Sequence, residues 1–240
     1  MATSTASPQT QSYNHLPTTL ASSTHPILLR TLEPEDNVAF AAILSDPRNT
    51  EHEAGSPPDH MELSVATGAI ARMRDSAAAP TVVSAPEESG PGKVLSGPGR
   101  VNLAIVYLGG DAAGSVIGLG GFGSIKDLSR ATGEPVADVA AEPFERVGDV
   151  GAMVNAEYRG RGFAAEAVRL AMEWGFAPAG RGGLQLDRIT ATTRAANAPM
   201  VRVLAKFGWE GRAVPAQGPE GKDELTYSMQ AEEWEARSRK

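Results

Sequence analysis

Apolar positions recur along the chain in two rhythms, and the changes of rhythm mark out its elements. Residues 27–32, ILLRTL, predict a first strand. Pro34, Glu35 and Asp36 then open a helix through Leu44, because proline and acidic side chains suit a first helical turn. Leu63, Ala66, Ile70 and Met73 fall at helical spacing and predict a second helix. Residues 101–108, VNLAIVYL, and 115–123, SVIGLGGFG, predict two strands of a hairpin turning at Gly109 and Gly110. Residues 147–155 predict another strand. Phe163, Ala167, Leu170, Ala171 and Trp174 then mark one face of a helix, with Glu166, Arg169 and Glu173 opposite. Ile189, Ala191 and Thr193 alternate as a strand. Met200, Val203, Leu204 and Phe207 form a helix that Gly208 ends, and Leu225, Tyr227 and Met229 alternate in a last strand. The order is strand, two helices, three strands, helix, strand, helix, strands: an α/β chain with a mixed sheet and few βαβ repeats.

Two stretches fit neither rhythm. Residues 1–25, MATSTASPQTQSYNHLPTTLASSTH, are rich in Ser, Thr and Pro and contain no Lys, Arg, Asp or Glu. With little apolar surface to bury, they are expected to form a disordered tail. A transit peptide would need arginines, and a secretory signal a basic start and an apolar core; both are missing, so the expected location is the cytoplasm. Residues 76–99, SAAAPTVVSAPEESGPGKVLSGPG, are expected to be a long loop or insertion, since neither side looks self-sufficient. A single domain over residues 26–236 is therefore expected.

Composition narrows the function classes. A chain of 240 residues with 41% hydrophobic side chains suits one globular domain with or without tails. It has no apolar run of about 18 residues, so no membrane span is expected. The absence of cysteine excludes disulfides, thiolate metal sites and a cysteine nucleophile. The four histidines lie in the first quarter without zinc-ligand spacing, so no metal is expected. A formal net charge of −7 weighs against nucleic acid, which wants a basic face.

The candidate chemistry sits at residues 157–167, EYRGRGFAAEA. Here a strand gives way to a helix, whose first turn has unpaired N–H groups and a positive dipole end. Gly160 and Gly162 bare the backbone, and Arg159 and Arg161 add charge, as a pyrophosphate requires. An ordinary strand-to-helix turn with solvated arginines is the alternative. Upstream, residues 118–123, GLGGFG, fit the dinucleotide pattern G-x-G-x-x-G. Residues 124–135, SIKDLSRATGEP, make a poor helix and close no βαβ unit, so a strand of small residues is the better reading.

Arg159, Gly160, Arg161, Gly162, Phe163 and Ala164 fit the Q/R-x-x-G-x-G/A signature, and here the chain resembles the GNAT acetyltransferases. YRGRGFAAEAVRLAMEWGF, DRITATTRAANAPMVRVLAKFGWE and ELTYSMQAEEW are similar, in order and spacing, to the RimJ/RimL-like branch, whose members acetylate protein N-termini or small amines. The likeness is dense from Val147 to Trp234, loose over residues 27–44, and absent from the tail and from 76–99. It implies the GNAT fold, a mixed and mostly antiparallel central sheet flanked by helices. It implies acetyl-CoA as cosubstrate and an amine acceptor as partner, with a homodimer left open. It also implies a pyrophosphate site at residues 159–164, and pantetheine contacts at Met153, Val154 and Asn155, where the strand splays from its neighbour. Asn197 matches a family contact to the pantetheine arm and equally suits a helix N-cap. Arg202 and Lys206 read as a solvated face.

Acetyl transfer needs a base for the amine, a donor to the thioester carbonyl and an acid for the departing thiolate. Without cysteine, direct attack in a ternary complex is expected. Asp149 is the first candidate base, on the strand leading to the loop where the family often carries an acid; Glu145 is the second. A backbone N–H near Met153 or Val154 is the expected carbonyl donor. The chain departs from the family at the acid, since Met200 and Leu204 stand where the relatives carry serine or tyrosine. Tyr158, Ser124, Thr192, Tyr227 or water are the substitutes. A degenerate module that binds CoA or a protein partner without turnover is the alternative, and a nicotinamide enzyme built on residues 118–123 is a third. The acceptor side is expected to be shaped by the two N-terminal helices and an insertion over residues 124–146.

Overall fold

The computed structural model describes residues 10–238 apart from 54–59, 87–91, 137–138, 140–141, 210 and 219–220. Its strands are β1 (Thr10–Tyr13), β2 (Thr19–Ala21), β3 (Ile27–Thr31), β4 (Thr81–Ser84), β5 (Val94–Ser96), β6 (Val101–Tyr107), β7 (Val116–Ser129), β8 (Phe144–Val154), β9 (Arg188–Arg194), β10 (Val214–Gln217) and β11 (Asp223–Gln230). Its helices are α1 (Asn37–Ser45), α2 (Pro47–Thr50), α3 (Leu63–Ala78), α4 (Phe163–Phe176), α5 (Ala198–Leu204) and α6 (Ala231–Ser238). Eight strands form one sheet in the order β10-β11-β9-β8-β7-β6-β3-β2. Every pairing in it is antiparallel except β8 with β9. Among the described residues no helix is long and apolar enough to cross a membrane.

The sheet is covered on both faces, which explains why β6 reads as an unbroken apolar run. Leu103 and Ile105 of β6 point to the side covered by Ala167, Val168, Ala171 and Trp174 of α4. Ala104 and Val106 point to the other side, against Phe40 of α1 and Ala66 and Ile70 of α3. β3 divides in the same way, with Ile27 and Leu29 on the α4 side and Leu28 on the other. On α4, Arg169 pairs with Glu166 and Glu173, as the spacing predicts.

Three expectations are corrected. The disordered tail does not extend over residues 10–25, because β1 pairs with β4 and β2 pairs with β3. His15 is buried, bonded through Nε2 to Thr81 Oγ1 at 2.7 Å and set edge-on to Trp174. Thr31 Oγ1 donates to the Leu16 carbonyl, and Leu16 and Leu20 pack on the main core. Strand pairing on an open edge satisfies backbone groups without needing an apolar period, so composition alone misses it. Residues 1–9 lie outside the described residues. Second, the stretch 76–99 is largely regular: α3 runs through Ala78, and β4 and β5 join β1 in a small sheet of order β1-β4-β5. Third, β7 continues to Ser129 and pairs with β8 from Phe144, so the two ends of the expected insertion, 124–129 and 144–146, belong to the arms of a long hairpin.

Candidate functional site

The site begins where the parallel pairing of β8 and β9 fails. β8 and β9 are in register at Val147↔Arg188, Gly148↔Ile189 and Asp149↔Thr190, and there the pairing stops. β8 runs on to Val154, still paired with β7. Antiparallel ladders alternate the direction of their backbone groups. The Asn155 N–H bonds the Ile117 carbonyl at 2.8 Å, so Met153 and Asn155 direct their groups toward β7. Ala152 and Val154 direct theirs into the fork. Of the three residues expected to offer free backbone, Val154 faces the opening and its carbonyl accepts from Arg159 Nε at 3.1 Å. Asn155 uses its side chain to accept from the Glu157 N–H at 3.1 Å.

The loop after β8 turns through a single 3-10 turn, Ala156–Tyr158, and enters α4 through two glycines in the left-handed region, Gly160 at φ 77° and Gly162 at φ 82°. The first α4 hydrogen bond runs from the Glu166 N–H to the Gly162 carbonyl, leaving the Phe163, Ala164 and Ala165 N–H groups without intrahelical acceptors. At Gly160 a Cβ would meet nothing within 4 Å, so the backbone is bare toward the opening. At Gly162 a Cβ would stand 2.8 Å from His25 Nε2. The two arginines differ. Arg159 is committed to protein groups, with Nη2 donating to the Arg48 carbonyl at 2.7 Å and Asn49 Oδ1 at 3.4 Å. Arg161 is exposed and lies over the Tyr158 ring, 5.3 Å from its centroid.

A cleft of about 430 Å³ joins the fork, the loop and α5. Ala152, Met153, Val154, Gly160, Phe163 and Ala164 form one wall. Asn197, Met200, Arg202 and Lys206 form another. Asn197 caps α5 by accepting from the Met200 N–H at 3.1 Å while also lining the cleft. Arg202 and Lys206 are exposed, as expected of a solvated face, and they also border the cleft. Asn49 was missed altogether. It is buried, donates to the Ile43 carbonyl at 3.0 Å and accepts from the Ala156 N–H at 2.9 Å, tying α2 to the glycine loop. The preceding Asp46 and Pro47 signal a helix start, but nothing in the sequence tells of a partner so far along the chain.

The two candidate bases are separated. Asp149 is half-buried at the apex of the fork, and its Oδ1 accepts from Thr190 Oγ1 at 2.8 Å and Thr192 Oγ1 at 3.2 Å. Burial pushes its carboxyl above the usual Asp range, and the two hydroxyls oppose the shift. Asp149 and Met153 share one face of β8. Glu145 stands further from the fork and is ion-paired with Arg188 at 2.9 Å. Of the acid candidates, the Tyr158 side chain is in the cleft. Tyr227 is buried and stacked on Trp209, Ser124 is Asp149's partner on β7, and Thr192 bonds Asp149 itself. Residues 118–123 lie wholly inside β7, where a Cβ on Gly118 would stand 2.3 Å from the Met153 carbonyl oxygen. Close strand packing explains these glycines, and no helix succeeds them as a dinucleotide turn would require.

A forked parallel pair opening onto a glycine-turned helix terminus is the arrangement the sequence resemblance implies. The profile of the acetyltransferase (GNAT) domain matches residues 27–210. The chain belongs to the GNAT acetyltransferases. Among curated proteins it is similar to the uncharacterized N-acetyltransferase YnaD of Bacillus subtilis, 35% identical over 95 residues, which are 38% of this chain and 52% of that protein. The chain thus spans about half the length of the curated relative it matches. Among solved GNAT structures it is similar to the ribosomal-protein-S5-alanine acetyltransferase of Vibrio fischeri, with a TM-score of 0.57 at 17% identity over 89% of this chain and 97% of that one. It is also similar to RimJ of Mycobacterium smegmatis in complex with CoA-disulfide, with a TM-score of 0.58 at 17% identity over 95% of this chain and 98% of that one. At such identities the likeness is one of fold.

Proposed function

We propose that the protein is an N-acetyltransferase that moves an acetyl group from acetyl-CoA to a primary amine, of a protein N-terminus or a small molecule, by direct attack in a ternary complex. The observation that carries this reading is the fork: β8 and β9 part at Asp149 and Thr190, and the freed β8 backbone leads straight to the glycine loop. The residues present suit the cosubstrate. The bare Gly160 backbone and the unpaired N–H groups of Phe163, Ala164 and Ala165 suit a pyrophosphate. Arg202 and Lys206 add positive charge across the cleft, and among the described residues neither is ion-paired. The Ala152 and Val154 backbone suits the amides of a pantetheine arm laid along β8 as an added strand.

In the proposed chemistry the amine nitrogen attacks the thioester carbonyl carbon and the C–S bond breaks. Asp149, at the apex of the fork on the Met153 face, takes the proton from the amine, directly or through water. A carboxyl raised by burial is a better base than a solvated one. A backbone N–H of the fork, that of Val154, polarises the carbonyl. Tyr158 O–H, or water, returns a proton to the thiolate. This assignment leaves Glu145 to its ion pair with Arg188. The acceptor side lies over the sheet face carrying Asp149, Thr190 and Thr192. The cytoplasm, where acetyl-CoA is made available, is the proposed location, without nucleic acid or membrane as partner.

A second reading keeps cofactor binding and drops turnover. It is favoured by one observation: Leu204 is fully buried in the core and Met200 faces the cleft without a transferable proton. One experiment separates the two. Thiol release from acetyl-CoA is monitored with a panel of amines, polyamines, amino acids and N-terminal peptides, beside CoA binding by calorimetry. Amine-dependent thiol release supports the transferase. CoA binding without release for any acceptor supports the binding module, and no binding of CoA at all removes both.

A further inference from the structure

The turn at residues 22–25 precedes the stretch matched by the GNAT domain, which starts at residue 27. It nevertheless sits on the glycine loop at the start of α4. Ser22 Oγ accepts from the Thr24 N–H at 3.1 Å and the His25 N–H at 2.9 Å, which closes the turn. The same hydroxyl donates to Glu166 Oε1. Glu166 is buried in the first turn of α4 and gripped by Arg169 through two bonds, at 2.9 and 2.7 Å. The turn is therefore anchored to a carboxylate that cannot swing away. Arg169 holds that carboxylate down to about 2, so it stays ionised as an acceptor.

From this anchor the His25 ring reaches two points of the loop. Its Nε2 fills the space a side chain on Gly162 would take, and its ring meets Phe163 edge-on, with centroids 6.1 Å apart at 81°. The other ring nitrogen bonds Thr24 Oγ1 at 2.9 Å, which fixes the ring plane. β2, immediately before the turn, is hydrogen-bonded to β3 and so gives the turn a rigid base. Gly162 is the residue whose left-handed backbone aims the N–H groups of Phe163 to Ala165 at the cleft. A glycine at such a position is free to adopt many conformations, and a wall of packed atoms selects one.

We propose that the N-terminal turn is part of the cofactor site, with His25 as a positioning residue that holds the Gly162 loop in the geometry that receives the pyrophosphate of CoA. The inference rests on the cofactor reading above and adds a segment outside the matched domain to that site. Ser22 acts through Glu166, and His25 acts through Gly162 and Phe163; neither touches the reacting atoms.

CoA affinity of the full chain is measured by calorimetry for the wild type, His25→Ala, His25→Gln, Ser22→Ala and Thr31→Val, each with its melting temperature. Thr31→Val is the stability control. It removes the hydroxyl that holds the Leu16 carbonyl, loosening the same N-terminal segment away from the loop. His25→Ala should weaken CoA binding about three- to tenfold, the size of one edge-on ring contact at 1.4 kcal/mol per tenfold. His25→Gln, which refills most of the space, should recover most of that loss. Thr31→Val should lower the melting temperature and leave CoA affinity near wild type. If His25→Ala does not fold, Ser22→Ala tests the same anchor and should weaken CoA binding in the same direction. Unchanged CoA affinity in His25→Ala and Ser22→Ala overturns the inference while the cofactor site stands. So does an equal affinity loss in Thr31→Val, which would make the segment merely structural. A wild type that binds no CoA removes the site itself, and the inference with it.

Discussion

Asp149→Asn separates the chemistry of one side chain from its packing. The Asp149 Oδ1 accepts from the Thr190 and Thr192 hydroxyls. An asparagine places its amide oxygen at the same point, so both hydrogen bonds survive and only the basicity is lost. A general base contributes about 10²–10⁴-fold. Turnover with an accepted amine should fall by that factor, or about 3–5 kcal/mol in activation free energy. CoA affinity should hold, because the residue stands at the apex of the fork and outside the cleft lining. Stability supplies an independent sign. Burial raises the carboxyl's pKa in the folded state above its unfolded value, so stability falls as pH rises past the unfolded value and the loss is complete above the folded one. The asparagine variant should therefore melt at the same temperature or higher at pH 7. A second variant reads the pKa itself. The Thr190 hydroxyl favours the charged form, so Thr190→Val should move the acid limb of the pH–rate profile to higher pH. The assay is thiol release from acetyl-CoA across pH, beside thermal melts. Near-normal turnover of the asparagine variant at pH 7 would refute the role. A lower melting temperature with intact turnover would make Asp149 structural, and loss of CoA binding would assign it to the cofactor.

Three further outcomes are expected. Deleting residues 1–25 removes β1, β2, buried His15 and the partly buried side chains of Leu16 and Leu20, and should lower the melting temperature by several degrees; an unchanged melt would show that the segment does not hold the domain. Gly162→Val must take a left-handed backbone and displaces the His25 ring, so CoA affinity by calorimetry should fall at least about tenfold, or 1.4 kcal/mol, in a folded variant, and unchanged affinity would sink the loop assignment. Burial, reinforced by the charge of Arg146, lowers His15 from 6.5 to about 4, so the unfolded chain takes up a proton first as pH falls; stability should drop between those values by up to roughly 3 kcal/mol in urea melts, and His15→Gln should flatten that slope.

Much of the central fold was legible because its elements bury one stripe or two faces. The α4 stripe of Ala167, Leu170, Ala171 and Trp174 and the two-faced run of β6 come directly from helical and sheet periods. The strands at the margin escaped for the opposite reason. Thr10–Tyr13 and Val214–Gln217 are almost wholly exposed and are held by backbone pairing, which leaves no hydrophobic rhythm. The end of β7 escaped because its alternation, Ile125 inward and Lys126 outward, is interrupted by a bulge near Phe122 that shifts the register.

At the site, local chemistry was written in the sequence and long-range chemistry was not. Bare glycines at a helix start, an asparagine N-cap before a proline and the lack of a proton on Met200 and Leu204 are properties of neighbouring residues, so order along the chain suffices to see them. Tertiary structure alone decided that Arg159 is spent on the carbonyls of Val154 and Arg48, that Asn49 holds the Ala156 N–H, and that the exposed Arg202 and Lys206 border the cleft. It also separated Asp149 from Glu145, since one stands where β8 and β9 part and the other is neutralised by Arg188. It likewise brought residues 22–25 against the start of α4, a contact 144 positions apart between Ser22 and Glu166. The physical reason is common to these cases. A period reports which side of an element is buried, whereas the partner of a polar side chain depends on which distant segment the packed sheet delivers to it.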